Sequence, residues 1–266
     1  MPWPSLPAPL PAGLPPQTQP HVKPFVCDDG SAKSLHFTMG ELQSRMNKAS
    51  PWQLDVDYTR TMMGFLLLQQ APAHIVMVGL GGGSLAKFCY RQLPDCRLTV
   101  LEINPHVVAL RRDFCVPDDD ERFRVILDDG AAFVAAQPAR CDVLLVDGFD
   151  HEGQPAALCS QRFYDDCFAA LTPDGVLAVN LHHDDVDYPV WAERLQRSFG
   201  GNAVEVPAPE KSNCIVFASR GAPLSPRRIN LGRSLSRLDS AARQQLKPEF
   251  ARIAWAMKDL DDSAAS

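Results

Sequence analysis

Ile75-Val76-Met77-Val78-Gly79-Leu80-Gly81-Gly82-Gly83-Ser84 runs from four apolar residues straight into a glycine-rich turn. The apolar run has the length and character of a buried strand. Glycines in the turn let the backbone bend sharply and approach a ligand closely. Residues 83–92 read as a helix, so its N-terminus, with unpaired N–H groups and a positive dipole end, faces whatever sits on the turn. The next apolar run, Leu98–Leu101, is a second strand, and Glu102 stands at its end, 23 residues after Gly79. An acid there can accept both hydroxyls of a ribose. Strand, glycine turn, helix, strand and acid together point to a nucleoside-binding crevice, which neither half would establish alone.

Downstream the alternation continues. Pro105–Arg112 is a helix, Phe123–Ile126 a strand, Ala131–Ala136 a helix and Val143–Val146 a strand. Gln161–Leu171 is a helix, Gly175–Leu181 a strand and Val190–Phe199 a helix. Ala203–Val206 and Ile215–Ala218 close the series. Alternation of this kind predicts an α/β fold: a doubly wound, mostly parallel seven-stranded sheet with helices on both faces. The last two strands have no helix between them, which predicts an antiparallel hairpin at one edge. The third strand ends in Asp128-Asp129-Gly130, and the fourth in Asp147-Gly148-Phe149-Asp150. Acids at successive strand ends converge on the carboxyl edge of the sheet, where such folds bind ligands. An acid after the third strand can accept from an adenine amino group, and acids after the fourth suit a cationic group. Each of these carboxylates could instead cap a helix or face water.

Upstream, residues 25–48 read as extended, with Ser34–Met39 the best strand candidate. Residues 57–70 read as one helix, with Tyr58, Met62, Phe65 and Leu66 on a common face. Nine prolines fall within residues 1–24, which read as a disordered or polyproline-like tail. The organisation expected is therefore this tail, a short N-terminal β-region over 25–56, a nucleoside-binding α/β domain over 57–220, and a linker with a C-terminal helical extension over 221–266.

The residues of the core resemble the spermidine synthases, the polyamine aminopropyltransferases, built on the class I S-adenosylmethionine-dependent methyltransferase, Rossmann-like fold. The resemblance spans residues 30–220. It is carried by the glycine turn, by Glu102, by Asp129-Gly130, by Asp147-Gly148-Phe149-Asp150, and by Gly153-Gln154-Pro155-Ala156-Ala157-Leu158 followed by Phe163-Tyr164. Gln43 and Tyr58 resemble a glutamine and a tyrosine of the family's N-terminal part. The resemblance implies transfer of an aminopropyl group from decarboxylated S-adenosylmethionine to a diamine such as putrescine. It assigns Asp147 as the base, assisted by Tyr58. It places Asp150 and Gln43 on the amine, and Gly79, Gly81, Gly82, Glu102, Asp129 and Gly130 on the nucleoside donor. It also implies a homodimer.

One position departs from the family pattern. The turn of the family carries an acid where this chain has Gly82, an acid that pairs with the aminopropyl ammonium and repels the carboxylate of intact S-adenosylmethionine. Gly82 therefore keeps open a methyltransferase using intact S-adenosylmethionine, or a non-catalytic nucleoside binder. His182-His183-Asp184-Asp185 invites a metal reading, but adjacent residues on a strand point to opposite faces, and no metal is expected.

Composition bounds the rest. The 266 residues are 45% hydrophobic and 22% charged, enough for a large core. With 26 Lys and Arg against 32 Asp and Glu the net charge is -6, which gives no basic surplus for nucleic-acid binding. The 8 cysteines lack paired spacing and lie partly in apolar runs, which reads as reduced thiols in a cytoplasmic protein. No apolar run reaches 18 residues, so no membrane span is expected, and the N-terminus lacks the pattern of a signal peptide.

Overall fold

The computed structural model describes residues 21–264, apart from 41, 137, 210 and 211. The proline-rich tail reading thus falls outside the described residues for positions 1–20. Residues 21–24 carry no regular structure, and the Val22 carbonyl accepts a hydrogen bond from Asn104 Nδ2 at 2.9 Å.

Among the described residues the strands form two sheets. The first is small and antiparallel, with β1 (Phe25–Asp28), β2 (Ala32–His36) and β3 (Leu42–Asn47) in sequential order. The strand expected over Ser34–Met39 is β2, which stops at His36 where the register shifts against β3. The second sheet contains β4 (His74–Val78), β5 (Arg97–Glu102), β6 (Phe123–Leu127), β7 (Cys141–Val146), β8 (Leu171–His182), β9 (Ala203–Pro207) and β10 (Asn213–Ser219). Its order is β6-β5-β4-β7-β8-β10-β9. The first five strands in this order run parallel, and β10 pairs antiparallel with both β8 and β9. This is the expected seven-stranded sheet with its edge hairpin. Because β5 lies on one side of β4 and β7 on the other, the topology reverses between β4 and β7, and a crevice opens there at the carboxyl edge.

Alternation along the central strands feeds both faces. Ile75 and Met77 of β4 enter one core, and Val76 and Val78 enter the other. The first core also takes Leu35 and Met46 from the small sheet. Helices α1 (Asp57–Met62), α2 (Phe65–Leu68) and α3 (Ser84–Gln92) contribute to it as well. From the C-terminal side it receives residues of α8 (Leu231–Ser236) and α9 (Ser240–Ala264), including Leu246, Phe250 and Ile253. The second core packs α5 (Gly130–Ala135), α6 (Gln161–Ala170) and α7 (Tyr188–Ser198) on the opposite face. The short α4 (Pro105–Ala109) follows β5, capped by Asn104.

The single helix expected over 57–70 is broken at Met63-Gly64. The apolar periodicity is present, but Gly64 lies so close to α9 and β10 that an added Cβ would sit 2.6 Å from Ile253 Cδ1 and 2.8 Å from Phe217 Cζ. Tight packing there takes precedence over helix continuity. No helix among the described residues is long and apolar enough to cross a membrane.

Candidate active site

The end of β4 and the end of β7 touch. Val78 pairs with Val146, and the Asp147 N–H donates to the Val78 carbonyl at 2.9 Å. Gly79 has φ of 97°, and a Cβ on it would lie 2.1 Å from the Asp147 carbonyl oxygen. Only glycine allows both the left-handed turn and this approach. The glycine turn is therefore what lets Asp147 sit at the bottom of the crevice.

Three side chains fix the Asp147 carboxylate. The Tyr58 hydroxyl, from α1, donates to Oδ2 at 3.0 Å. Asn180, near the end of β8, donates through Nδ2 to Oδ1 at 2.9 Å. Asn213 of β10 in turn donates to Asn180 Oδ1 at 3.0 Å, which orients that amide. Burial pushes the Asp147 carboxyl above the usual aspartate range, opposed by the bonds from Asn180 and Tyr58 and by His182. Burial and the neighbouring Asp147 charge raise the Tyr58 hydroxyl well above its ordinary value, so it stays a donor. A carboxylate held this way, at a topological switch point and with its pKa raised, is equipped to accept a proton.

Glu102 is only 8% exposed. Its Oε2 accepts from Leu80 N–H at 3.0 Å and its Oε1 from Asn104 N–H at 2.8 Å. It thus braces the glycine turn from below, while lone pairs on both oxygens remain for a ligand. Burial raises its pKa, against the backbone N–H groups of Asn104, Leu80, Gly81 and Ile103. Asp129 caps α5, its Oδ1 accepting from Ala131 and Ala132 N–H. Gly130 packs under Val78, linking that loop to the same crevice.

Gly82 sits against the small sheet. A Cβ there would lie 2.5 Å from Ser44 Oγ and 3.0 Å from Phe114 Cδ1. The space beside Gly82 is thus filled by β3, whose Ser44 and the Ser84 that opens α3 bring their hydroxyls to 3.5 Å.

The expected residues are not all equally engaged. Tyr58, Asp147 and Gly79 meet directly, and Glu102 holds the turn that includes Gly81. Asp150 lies three residues beyond Asp147 on a turn closed by its N–H to the Gly153 carbonyl, and its Oδ1 accepts from Glu152 N–H at 2.7 Å. Gln43 is half-buried on β3 beside Ser44, and among the described residues no hydrogen bond joins it to Tyr58 or Asp147. Asn180, Asn213 and His182 were not anticipated. His182 stacks on Phe149 with ring centroids 4.6 Å apart. A signal for Asn180 existed: it is a polar residue in the apolar run Val176–Leu181, and a buried amide needs a partner. All eight cysteines are free thiols, six of them buried. Among the described residues no group of three His, Cys, Asp or Glu side chains is placed to hold a metal ion.

Comparison with known proteins agrees with this geometry. Residues 56–187 match the spermine/spermidine synthase domain family. A polyamine aminopropyltransferase of Neisseria meningitidis is 38% identical over 218 residues, covering 81% of this chain and 83% of that protein. A probable spermidine synthase from Corynebacterium glutamicum has a similar fold, with a TM-score of 0.68 at 19% identity over 84% of this chain and 90% of that one. A spermidine synthase in complex with the transition-state analogue AdoDATO superposes with a TM-score of 0.62 at 18% identity, over 83% of this chain and 80% of its own. The chain is a transferase enzyme and belongs to the polyamine aminopropyltransferase family, the spermine and spermidine synthases.

Proposed function

We propose that this protein transfers the aminopropyl group of decarboxylated S-adenosylmethionine to a diamine such as putrescine. The observation that carries the proposal is the Asp147 carboxylate, held by Tyr58 and Asn180 at the switch point of the sheet. An amine with a pKa of about 10 is almost wholly protonated at neutral pH and cannot attack carbon in that form. Asp147 accepts the proton and the nitrogen lone pair becomes available. The nitrogen forms a bond to the aminopropyl carbon, the carbon–sulfur bond breaks, and sulfur keeps the electron pair. The products are the extended amine and methylthioadenosine. The sulfonium is already a good leaving group, so alignment and deprotonation are what the protein supplies.

In this reading the donor is an S-adenosylmethionine-type nucleoside. Glu102 takes its ribose hydroxyls, the Gly79–Gly83 turn passes under it, and Asp129-Gly130 borders its adenine. Asp150 and Gln43 serve the amine. Methyl transfer from intact S-adenosylmethionine, which Gly82 kept open, is not favoured by the family to which the chain belongs. The test is Asp147→Asn assayed for methylthioadenosine release with putrescine. The variant keeps the size of the side chain and removes the base. The expected result is a fall in kcat of roughly 10²–10⁴-fold with little change in the donor KM. Full turnover in the variant would exclude Asp147 as the base.

A further inference from the structure

Gln154 lies in the loop that leaves the reaction centre, between the Asp150–Gly153 turn and the 3-10 turn at Ala156–Cys159. Both polar atoms of its amide, Nε2 and Oε1, are buried, and neither has a hydrogen-bond partner among the described residues. A buried donor and a buried acceptor left unpaired on one side chain are destabilising and uncommon, and call for a physical reason. The loop's position supplies one. Leu158 anchors it against the end of β7, because a Cβ on Gly148 would lie 2.5 Å from Leu158 Cδ1 and 3.8 Å from Val78 Cγ1. A Cβ on Gly130 would lie 2.5 Å from the same Val78 atom. The loop and the Asp129-Gly130 corner therefore flank one point at the carboxyl edge of β4.

We propose that Gln154 reads the hydrogen-bonding edge of the adenine on the nucleoside donor. The inference rests on the aminopropyltransferase reading above. Adenine presents an amino donor beside a ring-nitrogen acceptor, the pattern a primary amide pairs with bidentately. An ammonium group offers donors only, so it would satisfy Oε1 and leave Nε2 unpaired. Asp129 already uses Oδ1 to cap α5 through Ala131 and Ala132, so the two-sided readout falls to Gln154.

The test is calorimetric titration of the full chain and of Gln154→Leu and Gln154→Glu. The ligands are methylthioadenosine and its analogue lacking the 6-amino group. Wild-type protein binds methylthioadenosine. Gln154→Leu weakens that binding about 10–100-fold and barely changes affinity for the analogue. The donor KM rises in step while the putrescine KM stays level. The melting temperature of Gln154→Leu is unchanged or higher, since an unpaired buried amide has been removed. Gln154→Glu, which keeps the shape but loses the donor, also binds methylthioadenosine more weakly. Equal losses for both ligands, or unchanged methylthioadenosine affinity in either variant, overturn the assignment and leave the aminopropyl reaction standing. Failure of the wild-type protein to bind methylthioadenosine overturns both.

Discussion

Asp147 is one carboxylate with two competing influences on its charge. Burial disfavours the ionised form, and the bonds from Asn180 and Tyr58 favour it. Burial wins, so the acid limb of activity lies above the ordinary aspartate range, and activity falls as pH drops through the raised pKa. Tyr58→Phe removes one bond to the ionised form. The pKa then rises further, and the acid limb of kcat moves to higher pH; Asn180→Leu moves it in the same direction. A pH–rate profile of the two variants checks this, and a shift toward lower pH would contradict the assigned donors. Asp147 was legible in the sequence as an acid at a strand end, and Tyr58 through resemblance. Asn180 and Asn213 were not identified, because their partner lies 33 residues away for each bond, across a sheet whose register the local pattern does not encode.

Among elements, the glycine turn and the small sheet act on each other. Glycine at 79 answers to Asp147, and glycine at 82 answers to Ser44 of β3. Restoring an acid at position 82 should therefore conflict with β3. Gly82→Asp is expected to destabilise the protein by about 1–3 kcal/mol, the usual range for overpacking. Ser44→Gly in the same chain should recover much of that loss, giving a measurable coupling between the two sites in denaturant unfolding. Simple additivity would mean that the two positions do not share this space. The strands of the main sheet were legible because each carries a continuous apolar run bounded by turn residues. The helix at 57–70 was legible in type but not in continuity. Its break at Met63-Gly64 depends on Ile253 and Phe217, contacts that come from about 150 to 190 positions further along the chain. The three strands of the small sheet were only partly anticipated, since half-buried strands of four to six residues alternate weakly. Helix α9 also reaches the site's framework: the Thr61 hydroxyl donates to Glu249 Oε1 at 2.5 Å, and Arg252 pairs with the same carboxylate. Thr61 lies one turn beyond Tyr58 on α1, so this network steadies the helix that carries the tyrosine.

For the whole molecule, the buried cysteines set a pH limit on stability. Burial pushes the thiols of Cys96, Cys141 and Cys159 up to about 12, and those of Cys89 and Cys167 well above their ordinary value. Folded pKa values above unfolded ones contribute stability that is complete below about pH 9 and lost as pH rises toward 12. Lys87 acts in the opposite sense. It is 1% exposed, donates to the Phe114 carbonyl at 2.7 Å, and is lowered by burial to about 8. Between about pH 8 and 10.5 its unfolded form holds more protons, so this residue alone makes stability rise with pH. Five thiols outweigh one amine. Unfolding free energy should fall steadily above pH 9 in denaturant titrations, and Lys87→Met should steepen that fall. A flat profile from pH 8 to 11 would contradict the burial of these thiols. The net charge of -6 also acquires a location, with Glu102, Asp129, Asp147 and Asp150 all along the carboxyl edge of the sheet.

The central claim is that the group transferred is aminopropyl. It is tested most directly by offering the protein putrescine with decarboxylated and intact S-adenosylmethionine in equal amounts, then identifying both products by mass spectrometry. The account predicts spermidine and methylthioadenosine, formed from the decarboxylated donor. A methylated amine with S-adenosylhomocysteine, or no product from either donor, would contradict it.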